Sequence, residues 1–129
     1  MKKYLERTLS FVAAILLVQT LYFKFTAAPE SVFIFTKLGL EPYGRIGIGI
    51  VELFVAILLI FRKTSLIGGV LGIGVILGAI FSHLFVIGIE VQNDNGFLFG
   101  LAILVFVLCL ITVYFQKEKL YLLIKSFKT

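Results

Sequence analysis

Four long apolar stretches divide the chain, and so few charges lie inside them that water cannot be the solvent for most of the molecule. A helix crosses a bilayer with about 20 predominantly apolar residues at 1.5 Å rise each. The stretches run from about Leu9 to Phe25, Ile46 to Phe61, Leu66 to Ile89 and Phe97 to Phe115. The first holds Gln19, Thr20 and Lys24 as polar members, and the second is interrupted only by Glu52. The third has one ionisable side chain, His83, and the fourth carries Cys109 and Thr112 as weakly polar groups. Composition agrees: of 129 residues, 60% are hydrophobic and 15% charged, with mean hydropathy +1.12. Soluble domains average about 45–50% apolar and about 25% charged. A core this small cannot hide the excess. A soluble enzyme, a disordered chain and a disulfide scaffold are excluded, and the single cysteine has no partner for an internal disulfide. The expected fold class is all-α, an integral membrane four-helix bundle forming one domain over residues 1–129.

The net charge of +5 reads as topology. With both termini cytoplasmic, the inner segments hold Lys2, Lys3, Arg7, Arg62, Lys63, Lys117, Lys119, Lys125 and Lys128, nine of the twelve basic residues. The outer segments hold Lys24, Lys37 and Arg45, and the second outer loop, Glu90 to Gly96, holds none. That bias orients the bundle N-in and C-in, in a bacterial inner membrane, with the bilayer and not nucleic acid as its partner. A cleaved signal peptide is disfavoured. Pro29 would directly follow the cut after Thr26-Ala27-Ala28, and the apolar run exceeds an ordinary signal core.

Two segments do not span. In the first outer loop, Pro29, Glu30 and Gly39 bracket a short helix whose Val32, Phe33, Phe35 and Leu38 suit the outer interface. In the basic tail, residues 116–129, Leu120, Leu123, Ile124 and Phe127 fall at i, i+3, i+4 and i+7. The tail reads either as an amphipathic helix on the inner leaflet or as a continuation of the last span into water.

Inside a bilayer the polar residues are the informative ones, because a charge at its centre costs at least about 2.5–3.5 kcal/mol. Glu52 and His83 each lie about 9 Å inside the outer ends of adjacent antiparallel spans. Lys24 sits near the outer end of the first span, with Gln19 about one and a half turns deeper. Glu52 and His83 are therefore the candidate catalytic residues, and Lys24, Gln19, Glu52 and His83 the candidate ligand-binding set. The same residues can equally pin the register of a small bundle. Gly49 and Ala56 share the face of Glu52, and Ala79, Gly72 and Gly68 that of His83, which directs both toward neighbouring helices. Tyr43 and Arg45 read as interfacial anchors, and Cys109 as a small buried apolar residue. There is no P-loop, no G-x-G-x-x-G and no H-E-x-x-H. One histidine builds no ordinary zinc site, so no metal is expected.

Four pieces, in order, resemble the DoxX family of small membrane proteins over about Leu21 to Phe115. They are Lys24 ending the first helix, the connector Lys37-Leu38-Gly39-Leu40-Glu41-Pro42, Gly49-Ile-Val-Glu52-Leu53, and Gly78-Ala79-Ile80-Phe81-Ser82-His83-Leu84. The resemblance implies a four-helix membrane bundle with a polar cluster near Lys24, Glu52 and His83. It also implies association with membrane redox systems, such as thiosulfate:quinone oxidoreduction, through partner proteins. Quinone is then the cofactor to consider, and a membrane or periplasmic oxidoreductase the partner. With Cys109 its one cysteine, the chain lacks the pair a thiol-exchange role requires. Three functions stay open: an accessory subunit of a quinone-linked redox system, a non-catalytic assembly or interaction protein that can self-associate, and a small proton-coupled transporter working through Glu52.

Overall fold

The computed structural model describes residues 2–91 and 94–128, with side chains from Tyr4 to Val91 and from Asp94 to Phe127. Lys2, Lys3 and Lys128 of the charge argument, and Gln92 and Asn93 of the second outer loop, lie outside those described side chains. The helices are α1 (Lys2–Phe25), α2 (Pro29–Lys37), α3 (Tyr43–Ile60), α4 (Ser65–Ser82), α5 (Phe97–Phe115) and α6 (Lys117–Lys128). A π-helical segment, His83–Ile87, extends α4. Four of these elements are long and apolar enough to cross a membrane: Tyr4–Phe25, Tyr43–Ile60, Ser65–Ile87 and Phe97–Phe115. The chain is thus a multi-pass membrane protein with an all-α bundle fold.

Each long helix packs on two others. α1 lies against α3 and α5, and α4 against the same two, which closes an up-down-up-down ring. The core is a narrow seam, with Ala13, Ala14 and Leu17 of α1 facing Val55, Ala56 and Leu59 of α3. Ile76 and Ile80 of α4 and Val105, Leu108 and Cys109 of α5 complete it. Outside the seam, large apolar side chains such as Tyr22, Phe54 and Phe85 are exposed, as lipid contact requires. Small residues set the closeness of the helices. A Cβ on Gly68 would stand 2.9 Å from the backbone nitrogen of Leu59, so only glycine allows α3 and α4 to meet there.

The helix ends are closed by local chemistry. α2 starts with proline in its first turn and Glu30 beside the helix N-terminus. It ends in a Schellman motif, with Gly39 at φ +75 and Leu40 N–H donating to Phe35 O at 2.8 Å. α2 buries Ser31 and Phe35 and packs against α1, α3 and the π-helical segment, so it covers the outer end of the bundle. At the inner end, the last carbonyls of α3 find side-chain donors. Thr64 Oγ1 donates to Leu58 O at 2.8 Å, Ser10 Oγ to Leu59 O at 2.6 Å, and the Arg7 guanidinium to Ile60 O. These bonds meet the demand that no backbone polar group stay unpaired in lipid.

Two boundaries differ from the sequence reading, and one open alternative, that of the tail, is decided. α3 begins at Tyr43 rather than Ile46, which brings Arg45 inside the helix. α4 ends at Ser82 rather than running on to Ile89, because the chain switches to π-helical bonding at His83 and turns at Gly88, φ +93. The tail is a separate helix and does not continue α5. The break falls at Gln116 (φ −115, ψ 24), whose side chain is held by Ser65 Oγ at 3.0 Å and Thr112 O at 3.4 Å.

Candidate functional site

The polar residues of α1 and α3 meet in the outer half of the bundle. Thr20 and Lys24 lie one turn apart on the same face of α1, and Glu52 lies on the buried stripe of α3 with Arg45, Gly49, Val55, Ala56 and Leu59. Lys24 Nζ stands 3.0 Å from Glu52 Oε2. The carboxylate is nearly dry, at 4% residue exposure, while Lys24 keeps 15% of its side chain accessible. The Thr20 hydroxyl is the carboxylate's other polar neighbour and donates to Leu17 O at 2.7 Å. One turn toward the outer surface, the ring of Phe25 packs over Gly49, where a Cβ would approach Phe25 Cε1 to 2.9 Å. Gly49 thus lets an aromatic ring roof the ion pair.

Arg45 extends this arrangement. It is buried at 6% exposure, forks onto Glu41 with Nε to Oε1 at 2.9 Å and to Oε2 at 3.1 Å, and donates from Nη1 to the carbonyl of Lys24. The interfacial-anchor reading of Arg45 is corrected by these bonds. Its guanidinium caps the C-terminal end of α1 and lies against the connector carboxylate, away from headgroup water. Tyr43, by contrast, is 85% exposed at the first residue of α3. Lys24 therefore belongs to two contacts at once, its ammonium on Glu52 and its carbonyl on Arg45. Two basic and two acidic residues thus form two ion pairs, Lys24–Glu52 and Arg45–Glu41, along the outward half of the α1–α3 seam.

Gln19 does not join them. It is exposed on the lipid-facing side of α1 among Ile15, Val18 and Tyr22, and Thr20, one residue on, takes the inward position. Depth alone pointed to Gln19, but successive side chains on a helix differ by about 100° in direction, and Thr20 is the one turned inward.

His83 is buried at 5% exposure at the point where α4 becomes π-helical. Its Nδ1 lies 3.1 Å from Gly88 O, while its own carbonyl accepts from Gly88 N–H at 2.8 Å. A carbonyl only accepts, so Nδ1 carries the hydrogen in this bond. The ring also meets Phe99 of α5 edge to face, with centroids 5.6 Å apart. Among the described residues no hydrogen bond or ion pair joins His83 to Glu52. The equal depth expected of them does not hold: from the α3–α4 connection Glu52 lies eight residues up α3 from Ile60, and His83 lies 18 residues up α4 from Ser65. π-Helical turns inside α-helices occur often at functional sites, and this one sets the direction of the only imidazole in the chain.

Asp94 was not singled out in the sequence. It opens α5 by accepting backbone N–H groups of Gly96 at 2.8 Å and Leu98 at 3.1 Å, with Val91 N–H at 2.9 Å. Partial desolvation works to raise its pKa, but the N–H groups of Val91, Leu98, Gly96 and Phe97 outweigh it and hold the carboxyl below its ordinary value. The signal was available: an aspartate just ahead of an apolar run is a helix-start residue. Among the described residues no group of three or more His, Cys, Asp or Glu side chains is placed to hold a metal.

Fold and site together define a small multi-pass membrane protein of the four-helix-bundle class, with a buried lysine–glutamate pair in its outer half. No protein-family model, curated protein or solved structure matches the chain.

Proposed function

We propose that the protein is a small DoxX-like accessory subunit of a quinone-linked redox system in a bacterial inner membrane, with the Lys24–Glu52 pair handling protons for it. The supporting observation is the 3.0 Å contact between ammonium and carboxylate inside the outer half of the bundle. A charge at such depth is retained where it has a partner or a task. Quinone reduction consumes protons as well as electrons, and the protons must reach membrane depth. Glu52 and Lys24 are neighbours across which a proton can be held or passed, with Thr20 beside them and Phe25 limiting water. A membrane or periplasmic oxidoreductase supplies the electrons in this reading.

The test is quinone-pool reduction in membrane vesicles from a host lacking the protein. Wild type should restore a lost rate, and Glu52→Gln should not. An unchanged rate on deletion overturns the proposal.

One observation favours a second reading, a non-catalytic assembly or interaction protein. The charges of Lys24, Arg45, Glu41 and Glu52 cancel within the chain, and His83 is satisfied by Gly88. In that reading Glu52→Gln lowers thermal stability in detergent while membrane redox rates stay unchanged.

A further inference from the structure

We infer that α6 is a membrane-surface anchor that selects anionic lipid headgroups in the leaflet at the end of the bundle where both termini lie. At about 100° per residue, Leu120, Leu123, Ile124 and Phe127 fall within one sector of about 100°. Lys117, Lys119, Lys125 and Lys128 lie along the rest of the sequence, against one acid, Glu118. Among the described residues little covers the apolar sector: Leu120 is half-buried, but Leu123 and Ile124 are exposed, Phe127 is 83% exposed, and the main contact of α6 is with α5.

Its position specifies what covers it. α5 is a membrane span that ends at Phe115, so a helix starting at Lys117 begins at headgroup level. The turn between them is fixed. Gln116, at φ −115 and ψ 24, breaks the helix, and its buried side-chain amide donates to Ser65 Oγ of α4 and to Thr112 O. Tyr114 is exposed on the last turn of α5 with Lys117 Nζ 4.9 Å from its ring centre, an aromatic and basic pair suited to the same level. An apolar sector flanked by lysines at this depth matches acyl chains below and anionic headgroups around it. The lysines decide the lipid class, since each is worth roughly fivefold in affinity near an anionic surface.

The chain contains no tryptophan, so Phe127→Trp creates a single fluorescent reporter at an exposed position. Leu123→Trp serves as a second reporter. The full-length protein is placed, one copy per nanodisc, in phosphatidylcholine alone and in a mixture with one-third phosphatidylglycerol. The expected result in the mixture is blue-shifted emission quenched by brominated acyl chains. Lys117→Gln/Lys119→Gln/Lys125→Gln should reduce that quenching markedly. Equal quenching in both lipids, unaffected by the lysine substitutions, overturns the selection for anionic lipid. Emission from water, quenched by iodide in both discs, overturns the anchor itself. So does lipid-independent shielding that appears only with two copies per disc, which would assign the face to a second copy of the chain.

Discussion

Lys24 and Glu52 meet at 3.0 Å across the α1–α3 seam, and the carboxylate is the drier of the two. Removing one partner of a buried pair costs about 3–5 kcal/mol, because the other is left charged without compensation. Lys24→Met leaves Glu52 in that position and should approach this cost. Glu52→Gln leaves an ammonium near the outer end of α1 that can reach headgroup water, and should cost less, about 1–2 kcal/mol. The double variant Lys24→Met/Glu52→Gln should melt above Lys24→Met alone. Thermal unfolding of all three in one detergent measures the coupling, and simple additivity would show that the pair does not act as a unit.

His83 and Gly88 hold the π-helical segment from both sides, through ring nitrogen and backbone. Nitrogen NMR of the imidazole should show Nδ1 carrying a hydrogen in a hydrogen bond. His83→Phe preserves an aromatic contact with Phe99 but removes the ring hydrogen bond, at about 1 kcal/mol. Amide exchange of Gly88 should then rise relative to the centre of α4. Unchanged exchange would mean that the backbone alone maintains the turn.

The two glycine environments on α4 predict opposite results. Gly68→Ala places a methyl 2.9 Å from Leu59 N and 3.0 Å from Leu58 C, so α3 and α4 must separate. The expected loss is about 1–3 kcal/mol. A Cβ on Gly74 meets nothing within 4 Å, and Gly74→Ala should be neutral or stabilising by up to about 1 kcal/mol through reduced backbone freedom. Melting temperatures of the two variants, side by side, check the packing of the seam.

Asp94 gives the start of α5 a defined pH response. Its carboxyl lies below the ordinary value of 3.8 in the folded chain, so folding favours the ionised form. The contribution is present above the unfolded pKa and is lost as pH falls through the lower folded pKa. Exchange of the Gly96 and Leu98 amides, corrected for the intrinsic rate, should accelerate as pH drops below about 3.8. Asp94→Asn should remove most of that pH dependence. A wild-type profile that stays flat there would contradict the capping role.

The spans were legible because the bilayer imposes a length and a composition that few other environments do. Pro29 and Gly39 likewise marked α2, since each residue suits one end of a helix. Depth suggested one outer cluster of Lys24, Glu52 and His83, of which Lys24 and Glu52 meet and His83 does not. Depth gives no azimuth, however, so Gln19 was grouped with residues that it faces away from. Arg45 was misjudged for a related reason. A basic residue at the start of a span usually anchors it, and only the fold shows that the Lys24 carbonyl and Glu41 surround this one. The change to π-helical bonding at His83 left no trace in hydropathy, which runs on unbroken to Ile89.

The central claim is that the Lys24–Glu52 pair serves a quinone-linked partner system. Its most direct test is quinone content after purification from native membranes in mild detergent, for wild type and Glu52→Gln, each handled well below its own melting temperature. The account predicts that wild type retains quinone together with an oxidoreductase subunit, and that Glu52→Gln loses both. Folded wild type that carries neither would contradict it.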